Sequence, residues 1–346
     1  MSESCCAPRQ SGPDKCCSVE PASGASPVVI RAEPRITPAD RLTHIKARLG
    51  INRMNCRVAP GLYALGAPDR SSPVLVTANY TLSFDALRGS LGGVDAWIMV
   101  LDTKGVNVWC AAGKGTFGAN ELCARIENAG LANVVDHRRL TLPQLGAPGV
   151  AAHAVARRTG FSVEYGPVRA GDIKEYLRTG AASADMRRVT FGLWDRLVLI
   201  PIEAKAAALP GLGLAAALWA LLGPTGGWAA LAGVLAGIAL FPVLLPLMPG
   251  TQFAVQGAAL GALSAAPFSA DALSRSSWIE AAAYLCISGA AAAFLALNFT
   301  GSTTFTSPSA VKREIARYTR PMAVCFGLGF ALALVEGALR WSAMVW

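Results

Sequence analysis

The chain of 346 residues is short of charge: Asp, Glu, Lys and Arg together make up 15%, against 53% apolar residues. The shortage is local, because from Ala206 to Ala270 there is no Asp, Glu, Lys, Arg or His. Ordinary soluble domains are about 25% charged, so this composition excludes a wholly soluble protein and separates a soluble first half from a membrane second half. Histidine is scarce too, with only His44, His137 and His153. No H-E-x-x-H zinc helix and no G-x-S-x-G nucleophile elbow occurs. Gly113-Lys114 is not a phosphate loop: Val108 stands where the first glycine is required, and Gly115 where Ser or Thr is. The net charge of +9 comes without a basic run interleaved with aromatics, which argues against nucleic acid as partner. A basic inner-membrane face explains it more simply.

Nine cysteines are present, an odd number, and the polar N-terminus has no secretory signal, so reduced thiols on a cytosolic face are expected. Residues 1–30, rich in Pro, Ser, Gly and Ala, read as a disordered tail. It holds Cys5-Cys6 and Cys16-Cys17. These pairs are either incidental exposed thiols or a flexible trap for a soft cation such as Hg(II). Their spacing is not that of a zinc site.

Residues 31–188 read as an α/β unit. Helix-like stretches at Arg41–Leu49, around Asp85–Arg88 and at Asn120–Ala129 alternate with apolar runs at Val74–Ala78, Val94–Leu101 and Val134-Val135. Such alternation predicts a parallel, Rossmann-like sheet with its ligand beyond the carboxyl ends of the strands. Thr77, Asn79, Asn107–Lys114 and the loop Leu142–Gly149 fall at such ends. In that loop Gly146 and Gly149 are candidates for close approach of backbone to a ligand.

Residues 189–205 read as an interfacial connector with Trp194 at headgroup level. The membrane domain, 206–346, holds five spans at about 206–222, 228–248, 251–268, 278–299 and 322–341. Gly-Pro-Thr-Gly-Gly at 223–227 reads as a turn, and 300–321 as a basic loop with Lys312, Arg313, Arg317 and Arg320. The positive-inside rule puts that loop and the soluble domain in the cytoplasm. Glu336 is expected to pair with Arg340 four residues on.

The most informative run is Asn107-Val108-Trp109-Cys110-Ala111-Ala112-Gly113-Lys114. Asn107 suits an N-cap. Cys110 then falls in the first turn with Lys114 on the same face, and both the helix start and Lys114 favour thiolate. Small neighbours let this helix lie flat against something wide. The bland alternative is a small buried cysteine.

Every position of the run matches the cap-helix motif Asn-Val/Ile-Trp-Cys-Ala-Ala/Gly-Gly-Lys, so the chain resembles the mercury-methylating corrinoid protein family (HgcA). Leu142–Gly149 and Tyr165–Ala170 look like blocks of the acetogenic corrinoid iron–sulfur protein. The resemblance implies an α/β Rossmann-like corrinoid-binding domain followed by an all-α membrane domain of about five transmembrane helices. It also implies cobalamin as cofactor, with Cys110 as the lower axial ligand of cobalt. Asn107, Val108, Trp109, Ala111, Ala112, Gly113, Lys114, Thr77, Asn79, Gln144, Leu145, Gly146 and Gly149 would line it, Trp109 packing the helix against the sheet. The implied reaction is methyl transfer to Hg(II). The implied partners are a methyl-tetrahydrofolate-linked donor and a ferredoxin-like reductant with [4Fe-4S] clusters. The Asp-x-His-x-x-Gly signature of histidine-ligated corrinoid proteins is missing, since Asp136 and His137 are adjacent. Two rivals remain: a membrane-anchored corrinoid methyl carrier of the acetyl-CoA pathway with another acceptor, and a transporter or metal-binding membrane protein. The near lack of charge in the spans weighs against the last.

Overall fold

The computed structural model describes residues 28–299 and 308–345. Cys5, Cys6, Cys16, Cys17 and the hydroxyl-rich stretch 300–307 lie outside the described residues.

Six strands form one sheet: β1 (Val29–Ala32), β2 (Gly61–Leu65), β3 (Val74–Ala78), β4 (Ala96–Leu101), β5 (Arg139–Leu142) and β6 (Ser162–Tyr165), in the order β1-β2-β4-β3-β5-β6. Every residue of β3 and β4 is buried, as expected for central strands covered on both faces. β4, β3, β5 and β6 are mutually parallel. β2 runs antiparallel to β4 and parallel to β1, so the sheet is mixed rather than all parallel. The run Val134-Val135, expected as a strand, instead ends a short helix; the strand follows at Arg139–Leu142, where exposed and buried positions alternate.

Eight helices accompany the sheet: α1 (Pro38–Arg48), α2 (Thr81–Ser90), α3 (Val108–Lys114), α4 (Ala119–Asn128), α5 (Leu131–Val134), α6 (Ala152–Thr159), α7 (Ile173–Thr179) and α8 (Leu193–Leu197). One face of the sheet packs Val76, Met99 and Leu101 against α3, α4 and α6 through Val108, Leu122, Ile126 and Val155. The other packs Leu75, Ile98 and Val100 against α2 and α7 through Phe84, Leu87, Ile173 and Tyr176.

Helices α2 and α6 follow the neighbouring strands β3 and β5 and lie on opposite faces, so the chain changes direction between those strands. This is a topological switch point. β3 and β5 share a single register pair, Leu75↔Thr141. Pro143, with no N–H to donate, ends β5, and the two strands diverge at their carboxyl ends.

The rest is α9 (Ile200–Leu222), α10 (Pro224–Leu235), α11 (Phe241–Leu244), α12 (Phe253–Ser274), α13 (Trp278–Asn298) and α14 (Pro308–Val345). Among the described residues, five helical segments are long and apolar enough to cross a membrane. α9 starts at Ile200, within the stretch expected to be a connector. The turn expected at 223–227 shrinks to Gly223 at φ +81°, because Pro224 is pre-shaped for a first helical position. The basic stretch Lys312–Arg320 is not a loop but the first turns of α14. The alternation of these five segments gathers the start of α9 and the start of α14 at the end of the bundle nearest the α/β domain, where Lys205 Nζ donates to Gly50 O at 3.0 Å.

At the opposite end, Glu336 accepts from Arg340 Nε at 3.1 Å, as expected, but within a larger network. Arg340 also donates to Glu280, which is fully buried, and to Leu222 O at 2.7 Å. Arg275 Nη1 stands 3.2 Å from Glu280. The buried acid is thus paired on two sides and ties α9, α13 and α14 together.

Helices α12 and α13 approach through small residues, as membrane helices do. A Cβ on Gly261 would sit 2.3 Å from Ser288 O and 2.6 Å from Ala292 Cβ. Gly261→Val should therefore part the two helices and cost roughly 1–3 kcal/mol. A lowered melting temperature of the purified full chain is the expected result, and an unchanged one would contradict this packing.

Candidate functional site

Asn107 caps α3, its Oδ1 accepting from Cys110 N–H at 2.9 Å, and Gly115 ends the helix at φ +79°. Val108, Ala111 and Ala112 face the core. Trp109, Cys110, Gly113 and Lys114 face outward, and a Cβ on Gly113 would meet nothing within 4 Å. Trp109, 41% exposed, does not pack the helix onto the sheet as expected; Val108 does. The outer face of α3 is an open platform with a cysteine on it.

The loop before α3 is held by Asn79, which is 1% exposed. Its Oδ1 accepts from Thr103 N–H at 3.1 Å and Gly105 N–H at 3.0 Å, and its Nδ2 donates to Asp102 at 3.1 Å. Asn79 spends its polar capacity on this loop rather than on a ligand. The hydrogen bond from the Lys104 ammonium holds the Asp102 carboxyl below its usual range.

Behind α3 lies the loop 142–149. A Cβ on Gly146 would be 2.6 Å from the Phe117 ring, and one on Gly149 would be 2.1 Å from Phe117 O and 2.9 Å from Ala112 Cα. The two glycines therefore admit the helix-to-loop contact instead of bringing backbone to a ligand, which corrects the sequence reading. Gln144 Oε1 is buried and has no hydrogen-bond partner among the described residues.

Where β3 and β5 diverge there is a cavity of about 270 Å³. Thr77 and Leu145 line it together with Asn107, Val108 and Trp109. Ser83, Thr141, Arg169 and Ile173 also line it. Ser83, Thr141 and Ile173 were missed as site residues, whereas Arg169 lies in the Tyr165–Ala170 block singled out in the sequence; placing β5 at Arg139–Leu142 would have put Thr141 at a strand end. Arg169 reaches across to Asp195 at 2.6 Å and Thr190 at 3.0 Å, linking the cavity rim to α8. Cys110 and Gln144 are beside the cavity rather than in its wall.

Residues 43–177 match the family described as CO dehydrogenase/acetyl-CoA synthase delta subunit. That match lies within the α/β domain. The chain is similar to the acetyl-CoA decarbonylase/synthase complex subunit gamma of Methanopyrus kandleri, 35% identical over 122 residues, covering 35% of this chain and 26% of that one. The Archaeoglobus fulgidus subunit of the same name is 34% identical over 127 residues, 36% of this chain and 27% of that one. The corrinoid/iron-sulfur protein large subunit of Moorella thermoacetica is 31% identical over 129 residues, 37% of this chain and 28% of that one. The chain thus spans about a quarter of the length of these relatives.

Two outcomes test the geometry. Asn79→Ala leaves buried N–H groups of the loop unpaired and should destabilise the protein by about 1–3 kcal/mol, read from its unfolding midpoint; an unchanged midpoint would show that the loop is held by other contacts. Because the Asp102 carboxyl is depressed in the folded state, its contribution is complete at neutral pH. That contribution fades only as pH falls below about 4. Amide exchange at Lys104 and Gly105 should accelerate there in wild type but not in Asp102→Asn.

Proposed function

We propose that the α/β domain binds a corrinoid across the outer face of α3 and the neighbouring cavity, and that the protein transfers a methyl group from it to Hg(II). The observation that carries this reading is the exposed Cys110 on a capped helix of small residues, set beside a cavity at the sheet's switch point. The residues suit such a group. The platform is open at Gly113, the cavity would take an appended tail, and Gln144 Oε1 is an unpaired acceptor that a ring-edge amide would satisfy. Bound cobalamin would supply a cobalt centre that carries a transferable methyl group.

Cys110 would hold the group through its sulfur, kept in place by the Asn107 cap and the packing of Ala111 and Ala112. As a thiolate, Cys110 would make the bound group electron-rich, which suits methyl transfer to an electrophile such as Hg(II). Thr77, Ser83, Thr141 and Arg169 would hold the polar tail, and Lys114 would stand near the ring edge. A ferredoxin-like [4Fe-4S] protein as reductant and a methyl-tetrahydrofolate-linked donor complete the reading. The α/β domain sits on the cytoplasmic side of the inner membrane, because Lys312, Arg313, Arg317 and Arg320 cluster at the same end of the bundle.

The similarity to acetyl-CoA synthase subunits favours a second reading, a membrane-anchored corrinoid methyl carrier of one-carbon metabolism with another acceptor. One experiment separates them. The purified chain, given cobalamin, a low-potential reductant and a methyl donor, is assayed for methylmercury. Wild type should form it, and Cys110→Ala should lose more than roughly 100-fold while still showing a corrinoid absorption spectrum. Corrinoid binding without methylmercury in wild type would leave the second reading; equal yields from both proteins would remove Cys110 from the mechanism.

A further inference from the structure

Two cysteines come together where α13 and α14 pack, away from the α/β domain. Cys325 Sγ on α14 donates to the carbonyl oxygen of Cys286 on α13 at 3.6 Å, which sets the two residues against each other across the helix contact. Both are free and half-buried. The contact depends on Gly329, one turn beyond Cys325: a Cβ there would lie 2.8 Å from Cys286 Cβ and 2.8 Å from Ile287 Cγ1. Glycine at that position lets α14 close on α13 at the level of the thiols.

A groove of about 340 Å³ reaches Cys325, lined on α14 by Tyr318, Pro321, Met322 and Cys325. Tyr318, Met322 and Cys325 are spaced i, i+4 and i+7, one stripe of the helix. Tyr318 donates to Gln252 at the α/β-domain end of the bundle, so the groove runs from that end to Cys325.

We propose that Cys286 and Cys325 form a two-coordinate site for a soft divalent d10 cation, with the Met322 thioether beside it. Thiolates select soft cations, and a low-dielectric surrounding selects the charge. Two thiolates and a divalent cation sum to zero; a monovalent cation would leave a net negative charge in the bundle. Zinc is disfavoured because it takes four ligands. Among the described residues no group of three or more His, Cys, Asp and Glu comes together. A cation satisfied by two sulfurs remains, of which Hg(II) is the representative. It would arrive as a bis-thiol complex: two bonds from the cation to carrier thiols break, two to Cys286 and Cys325 form, and the two protein protons pass to the departing thiols. No charge is created and no oxidant or reductant is needed. The inference goes beyond the corrinoid reading and requires neither Cys110 nor a corrinoid.

The test uses the full chain in detergent, with Cys5, Cys6, Cys16, Cys17 and Cys110 all replaced by Ser, so that the tail and the α3 thiol contribute nothing. Hg(II) is supplied as its bis-glutathione complex. The parent should retain one Hg(II) per chain against excess glutathione and should block alkylation of Cys286 and Cys325 together. Cys286→Ser and Cys325→Ser should each weaken retention by about 100-fold or more, since a tethered pair becomes a single thiol. Retention unaffected by either substitution would overturn the proposal. So would a parent that retains no Hg(II), or one in which Hg(II) leaves either cysteine open to alkylation. The alkylation pattern of the parent decides the matter even where a variant fails to fold.

Discussion

The contact on which the site depends is that of the 142–149 loop against Phe117 and Ala112. Two residues without side chains, Gly146 and Gly149, let backbone and ring approach where any Cβ would clash. That contact fixes the inner face of α3, and an amphipathic helix fixed on one side has its other side defined. Val108, Ala111 and Ala112 go in; Trp109, Cys110, Gly113 and Lys114 go out. The exposure of the cysteine is therefore a consequence of packing on the far side of its own helix. Asn79 adds a second constraint by pinning the loop that delivers the chain to Asn107.

The cavity has an equally plain origin. β3 and β5 part after one register pair because the chain turns in opposite directions from them and because Pro143 cannot extend the ladder. Arg169 ties the rim of that cavity to Asp195 on α8, at the start of the first helical segment long and apolar enough to cross a membrane. The α/β domain and the helical region are in this way joined by an ion pair as well as by chain connectivity. At the far end of the bundle, buried Glu280 with Arg340 and Arg275 keeps three helices in register.

Much of this was legible in the sequence because it rests on local chemistry. The N-cap at Asn107, the small-residue face of α3, the five apolar passes and the pairing of Glu336 with Arg340 need only nearest neighbours to predict. Less local features escaped. Val134-Val135 has strand propensity, yet Leu131 is drawn into the core and winds the segment into a helical turn. β5 was hidden because Arg138 and Arg139 open it with charge. The reversal of β2 is a matter of pairing partner, which residue pattern does not encode. The pairing of Glu280 escaped too, since its partners lie five residues before it and sixty after it, at Arg275 and Arg340. The roles of Gly146 and Gly149 depend on Phe117, which approaches only in the folded chain.

The central claim is that the outward Cys110 is a sulfur donor to the cobalt of a bound corrinoid. Cobalt-edge X-ray absorption of the cobalamin-loaded full-length protein reads this directly. The account predicts a sulfur scatterer in the first shell of wild type that is absent from Cys110→Ser at equal corrinoid content. A first shell of nitrogen and oxygen alone in wild type would contradict it.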